Sequence, residues 1–152
     1  MADGRDFVCG IETIDKLAKK KNLLVVSGAS SVPGLSSTVI DYFKDEFSSI
    51  DSIDVAIAPG NKAERGEATV RAILSYTGHP FRVFSDGRWK NVFGWMDAEI
   101  IDFGGIVGKR WLANVDVPDL VLFPERYKVK NRVSFKAGLE LSFLHFGMVF
   151  MA

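Results

Sequence analysis

Leu23-Leu24-Val25-Val26-Ser27-Gly28-Ala29-Ser30-Ser31-Val32-Pro33-Gly34-Leu35-Ser36-Ser37 is the stretch on which the reading of this chain turns. Four consecutive apolar residues after a helical pattern suit a central parallel strand, buried on both faces. The small polar loop that follows lies at the carboxyl end of that strand, where open α/β sheets bind ligands. A plainer reading of the loop stays open. Serines cap a helix, Pro33 sets its first turn, and Gly34 allows close packing.

Working outward, Phe7, Ile11, Ile14 and Ala18 recur at helical spacing and predict a helix over 6–20, with Asp3 or Asp6 able to cap it. Leu35, Val39, Ile40, Phe43 and Phe47 predict a second helix. The chain therefore opens helix–strand–loop–helix, the tail of a doubly wound α/β sheet. Near residue 48 the pattern changes. Ile53, Val55 and Ile57 alternate with Asp54, Ala56 and Ala58, a half-buried strand broken by Pro59-Gly60-Asn61. A helix is expected from Glu67. Asp86-Gly87 between two strand-like runs signals a two-residue hairpin. Further strands are expected over 98–103, 109–115 and 132–139. A short helix or turn is expected over 118–127, and an apolar helix after Leu139. The expected fold class is α+β. Residues 1–48 end a parallel α/β domain, and residues 49–152 form a mixed or antiparallel sheet with a few helices.

Bulk properties narrow the function. The chain has 152 residues, enough for a stable core. Nineteen basic and nineteen acidic residues cancel, so no net field draws it to nucleic acid or anionic lipid. Lys19-Lys20-Lys21 falls where a helix should end and complements its dipole. Cys9 is the single cysteine, which suits a reducing, cytoplasmic setting; its place in an apolar pattern predicts a buried, inert thiol. No apolar run reaches membrane-spanning length. Gly104-Gly105-Ile106-Val107-Gly108-Lys109-Arg110 is one spacer short of a P-loop and has Arg110 where Ser or Thr must reach magnesium. His79 and His145 are far apart and suggest no metal. Nothing matches G-x-G-x-x-G.

Several stretches taken together carry a resemblance: residues 2–7, the Ser27–Ser37 loop, Ile57-Ala58-Pro59-Gly60-Asn61, Arg71-Ala72-Ile73-Leu74-Ser75-Tyr76, and residues 111–119. Over nearly its whole length the chain resembles the saccharopine dehydrogenase-like family. There a nicotinamide-binding Rossmann domain precedes a mixed-sheet domain that binds substrate and pairs subunits. The lysine-pathway enzymes carry Asp-Pro-Gly in the corresponding loop. Val32 replaces that Asp here, which argues against saccharopine itself as substrate.

The resemblance implies an oxidoreductase that uses NAD or NADP on a small amine, imine or carbonyl compound. It also implies that Met1 lies inside a longer protein and that the Gly-rich fingerprint falls upstream, so this chain alone is expected to bind no cofactor and to be inactive. Ser30, Ser31, Pro33 and Gly34 would sit near the cofactor. Asp3 and Arg5 would share that sheet edge. Arg65, Arg71 and Arg110 are candidates to hold a substrate carboxylate, with surface ion pairs as the plainer role for each. Trp111 and Asn114 are candidates to line the pocket. A homodimer is expected, and neither a metal, a nucleic acid nor a membrane is an expected partner. A non-catalytic binding or assembly module is the alternative.

Overall fold

The computed structural model describes residues 4–64 and 66–152. Six strands, all from the later part of the chain, form one curled sheet: β1 (Ser52–Ile57), β2 (Pro80–Ser85), β3 (Arg88–Phe93), β4 (Glu99–Asp102), β5 (Lys109–Asn114) and β6 (Arg132–Ala137). β6 is the hub. One of its edges runs parallel to β1, Ser52 opposite Arg132 through Ile57 opposite Ala137. Its other edge is shared: β2 pairs at Val133 and β5 pairs at Lys136 and Ala137, both antiparallel. The β2–β3 and β4–β5 pairs are antiparallel. The fold is α+β, as the pattern predicts.

Local chemistry explains the hairpins. Asp86 and Gly87 both have positive φ, 54° and 68°, the left-handed pair that a tight two-residue turn needs. Gly104, Gly105 and Gly108, also at positive φ, turn the loop between β4 and β5. The P-loop-like run is thus a hairpin connection.

The helices are α1 (Arg5–Cys9), α2 (Asp15–Lys20), α3 (Ser36–Phe43), α4 (Glu67–Tyr76), α5 (Asp119–Arg126) and α6 (Ser142–Met151). Along β6 the side chains alternate. Val133 and Phe135 are buried with Leu120 and Phe123 of α5, whereas Arg132, Ser134 and Lys136 take the opposite face. α6 packs on β5, with Trp111 and Phe146 edge to face at 5.2 Å.

The first part of the chain departs from expectation in three ways. The helix expected over 6–20 is broken at Gly10 into α1, a 3-10 turn over Ile11–Ile14, and α2; glycine weakens a helix interior. Cys9 is exposed rather than buried, because Val8 takes the inward position. Leu23–Val26 is not a paired strand. It leaves α2 through a Schellman turn, in which Leu23 N–H donates to Ala18 O at 3.0 Å and Asn22, at φ 52°, donates to Lys19 O at 3.1 Å. It then runs with no strand beside it and stays exposed, Leu24 at 90%. Every described strand lies between residues 52 and 137, and none of them pairs with this segment.

This opening segment is tied to the rest by polar contacts. Arg5 ion-pairs with Asp116, Arg126 donates to Asp41 at 2.7 Å, and the Tyr127 hydroxyl donates to Ser37 O at 3.1 Å. No helix among the described residues is long and apolar enough to cross a membrane.

Candidate functional site

The Ser27–Ser37 loop closes on itself. Val32 is extended (φ −134°, ψ 128°), as a residue before proline prefers, and the Val32–Pro33 peptide is cis. Ser37 and Thr38 hydroxyls donate back to Pro33 O and Gly34 O and steady the start of α3. Ser30, Ser31 and Val32 are thereby presented to a cavity of about 380 Å³. Pro33 instead lies against a groove with Cys9 and Phe123.

The opposite walls come from the later chain. One face of α4 contributes Thr69, Ala72, Ile73 and Tyr76; the stretch after β5 contributes Val115, Asp116 and Val117; Ile57, Phe135 and Ala137 come from the central strands. Trp95 forms part of the lining and is only 2% exposed. Its position follows from Gly94. A side chain at Gly94 would run into the Tyr76 carbonyl, so only glycine lets this turn lie against the end of α4. Trp95 itself takes φ 63°, held by its N–H to Asn114 O at 2.8 Å, and Asn114 N–H returns to Met96 O at 3.1 Å.

The charges at this cavity are few. Arg5 is committed. It pairs with Asp116 Oδ1, donates to Arg82 O at 3.2 Å, and lies 5.6 Å from the Phe81 ring centre. Burial pushes the Asp116 carboxyl up, and the Arg5 charge pulls against that shift. Burial, with Asp116 adding, also pushes the Tyr76 hydroxyl well above its ordinary value, so it stays protonated near neutrality. The indole Nε1 of Trp95 is buried and has no hydrogen-bond acceptor among the described residues.

The expected site residues thus divide. Ser30 and Ser31 line the cavity and Arg5 stands behind it through Asp116. Pro33 and Gly34 shape the loop without joining the lining. Arg71 is solvent-exposed and bound to Glu67 one turn away at 2.6 Å. Arg110, on β5 opposite Ile101, donates to Lys109 O, and Trp111 packs against α6. Asn114 belongs to another groove, of about 620 Å³, on the polar sheet face. There its amide donates to Asp97 at 2.8 Å, Arg132 grips Asp54 at 2.6 and 3.0 Å, and Lys136 pairs with Glu99 at 3.0 Å. Burial would raise the Asp54 carboxyl, but the Arg132 and Ser134 hydrogen bonds outweigh it and hold it low. Asp3 and Arg65 lie outside the described residues.

Sequence reasoning missed Tyr76, Trp95 and Asp116 as cavity residues. Tyr76 and Asp116 sit inside stretches singled out above, but nothing local marks Trp95, which is placed by long-range contacts. Among the described residues no group of three or more His, Cys, Asp or Glu side chains could hold a metal ion. No protein-family model matches this chain, and no curated protein matches it.

Proposed function

We propose that this chain supplies the substrate side of a cytoplasmic, saccharopine dehydrogenase-like oxidoreductase that uses NAD or NADP on a small amine, imine or carbonyl compound. One observation supports this most. The Ser30–Val32 loop meets Tyr76, Trp95 and Asp116 around a single cavity of about 380 Å³, within the size range of small-molecule sites. Its walls are mainly apolar, with a few polar groups able to orient a ligand. Tyr76, Asp116 and Glu64 are the ionisable groups among the described lining residues.

The described residues do not fit the cofactor's phosphates. Such a site needs backbone N–H groups exposed at a helix start behind a Gly-rich turn. Here the loop's glycines face inward: a Cβ on Gly34 would lie 3.0 Å from Gly28 O, and one on Gly28 would lie 2.9 Å from Pro33 Cδ. In this reading the described residues do not themselves hold the dinucleotide phosphates, and the chain alone is inactive. The test is to read the coding sequence upstream for G-x-G-x-x-G, then assay the longest natural form. Saturable NAD(P)H binding, with cofactor oxidation on a carbonyl or imine, supports the proposal. A long form that binds no cofactor at millimolar concentration sinks it.

A second reading, a non-catalytic assembly module, is favoured by the exposed apolar surface. Leu23–Val26 and, on α6, Phe143 and Phe150 face solvent. Patches of this kind mark interaction sites.

A further inference from the structure

We infer that this cavity selects a protonated amine with an apolar body, and rejects a carboxylate; the inference rests on the reading of the cavity as the substrate site and narrows its substrate class. The lining carries two acids, Asp116 and Glu64, and no base among the described residues. Arg5, which meets the lining residue Asp116, is turned to other work. It neutralises Asp116 Oδ1, donates to the Arg82 carbonyl, and has a side chain only 14% exposed. Arg5 meets Asp116 at Oδ1, and Oδ2 has no partner among the described residues, which leaves it to accept a hydrogen bond from a ligand. Among the described residues, with Arg5 counted, the charge around the cavity is negative because of Glu64.

The rest of the wall sharpens the preference. An ammonium entering here finds a carboxylate oxygen and the aromatic rings of Trp95 and Tyr76, whose electron-rich faces attract cations. A carboxylate entering the same space would lose its water and find Glu64 and the ion-paired Asp116, with no described cation left over to receive it. Ile57, Ile73 and Phe135 suit the hydrocarbon part of the ligand. The arginines expected to clamp a carboxylate do not contradict this, since Arg71 and Arg110 are placed elsewhere. Arg65 stands in the sequence between two lining residues, so the carboxylate arm of the experiment tests its charge directly.

The test uses three probes of one size, pentylammonium, pentanoate and 1-pentanol, titrated into the chain and followed by NMR. Pentylammonium is expected to shift the Trp95 indole and Ile57 methyl signals saturably and to bind at least about tenfold tighter than the other two. Asp116→Asn should weaken amine binding about tenfold. Because that variant leaves Arg5 without its partner, Thr69→Lys is the second: it sets a fixed cation on an exposed helical wall position and should weaken the amine while improving pentanoate. Pentanoate binding as tightly as the amine, or no amine binding at high millimolar concentration, overturns the inference. Amine binding without turnover in the cofactor-binding long form sinks the oxidoreductase proposal and leaves the amine site standing.

Discussion

Asp119 and His145 are both fully buried, and they pull the pH dependence of stability in opposite directions. Asp119 opens α5 beside Ser36. Burial pushes its carboxyl up to about 6, and the nearby Ser36 hydroxyl lowers it, although neither carboxylate oxygen meets hydrogen-bond geometry. A raised carboxyl means that the folded state binds the proton more tightly than the unfolded one. Its penalty is absent at low pH, grows as pH rises from about 4 to about 6, and is then constant. Asp119→Asn is therefore expected to gain on the wild type across that window and to end about 1–3 kcal/mol more stable at neutral pH. Urea midpoints for the two proteins at several pH values check this, and a difference that stays flat with pH refutes it. His145 lies edge to face with Trp95, ring centres 5.5 Å apart, with both ring nitrogens unpartnered. Burial lowers its pKa, so it folds neutral. That contribution is fully present above the ordinary histidine value of about 6.5 and is lost as pH falls through it. His145→Leu should gain on the wild type on acidification, the reverse of the Asp119 series.

At the scale of elements, Leu23–Val26 is the segment whose pattern and structure diverge most. None of the amides from Leu24 to Ser27 donates a backbone hydrogen bond among the described residues, whereas β1 and β6 are paired along their length. Hydrogen exchange should therefore be near the unprotected rate over 24–27 and slow over β1 and β6. Sheet-like protection at Val25 would mean that this segment pairs in solution with another strand. The same contrast shows what the amino-acid pattern could carry. Period-two alternation located β1. The Asp86-Gly87 pair located the β2–β3 hairpin, and helical spacing located α3 and α4, because each signal is local. An apolar run reports only a wish to be buried; whether a neighbouring strand exists is a property of the whole chain. The cavity shows the same division. Ser30 and Ser31, expected beside a cofactor at the end of a buried strand, line the cavity although that strand is not formed. Trp95 was not, because Gly94, Asn114 and the end of α4 place it from distant parts of the sequence. Arg71 and Arg110 looked available as isolated cations, but helical i,i+4 pairing and strand position settled them elsewhere.

For the whole molecule, the first expectation is negative. With no exposed Gly-rich helix start among the described residues, calorimetry should find no saturable NAD(P) binding to this chain at millimolar cofactor; a defined stoichiometry would refute it. The second concerns self-association. Apolar side chains are exposed on the two terminal strands of the sheet order and the connection between them, among them Trp89 and Phe93 on β3, Met96, and Ile100 on β4. Leu23–Val26 and Phe150 add more. Single exposed hydrophobes are ordinary, but contiguous ones usually mark an interface. Closed two-fold dimers are the commonest way for identical chains to cover such a surface. A standard interface buries about 1,600 Å² in total, with aromatic anchors at its centre. Trp89 and Phe93 on the edge strand β3 have the chemistry for that role; Ile100 stands on β4, at the other end of the strand order, and is the second candidate edge. Light scattering across a concentration series should show the mass rising from 16.8 kDa toward twice that value. Phe93→Lys combined with Ile100→Lys should return it to the monomer, because whichever of the two edges forms the contact would then bury an unpaired ammonium group. Both positions are exposed in the single chain, so the double variant should keep its fold by circular dichroism. A wild-type mass constant at 16.8 kDa up to high micromolar concentration would exclude the dimer. A dimer unmoved by the double variant would shift the interface to Leu23–Val26, where Leu24→Lys and Val26→Lys repeat the test.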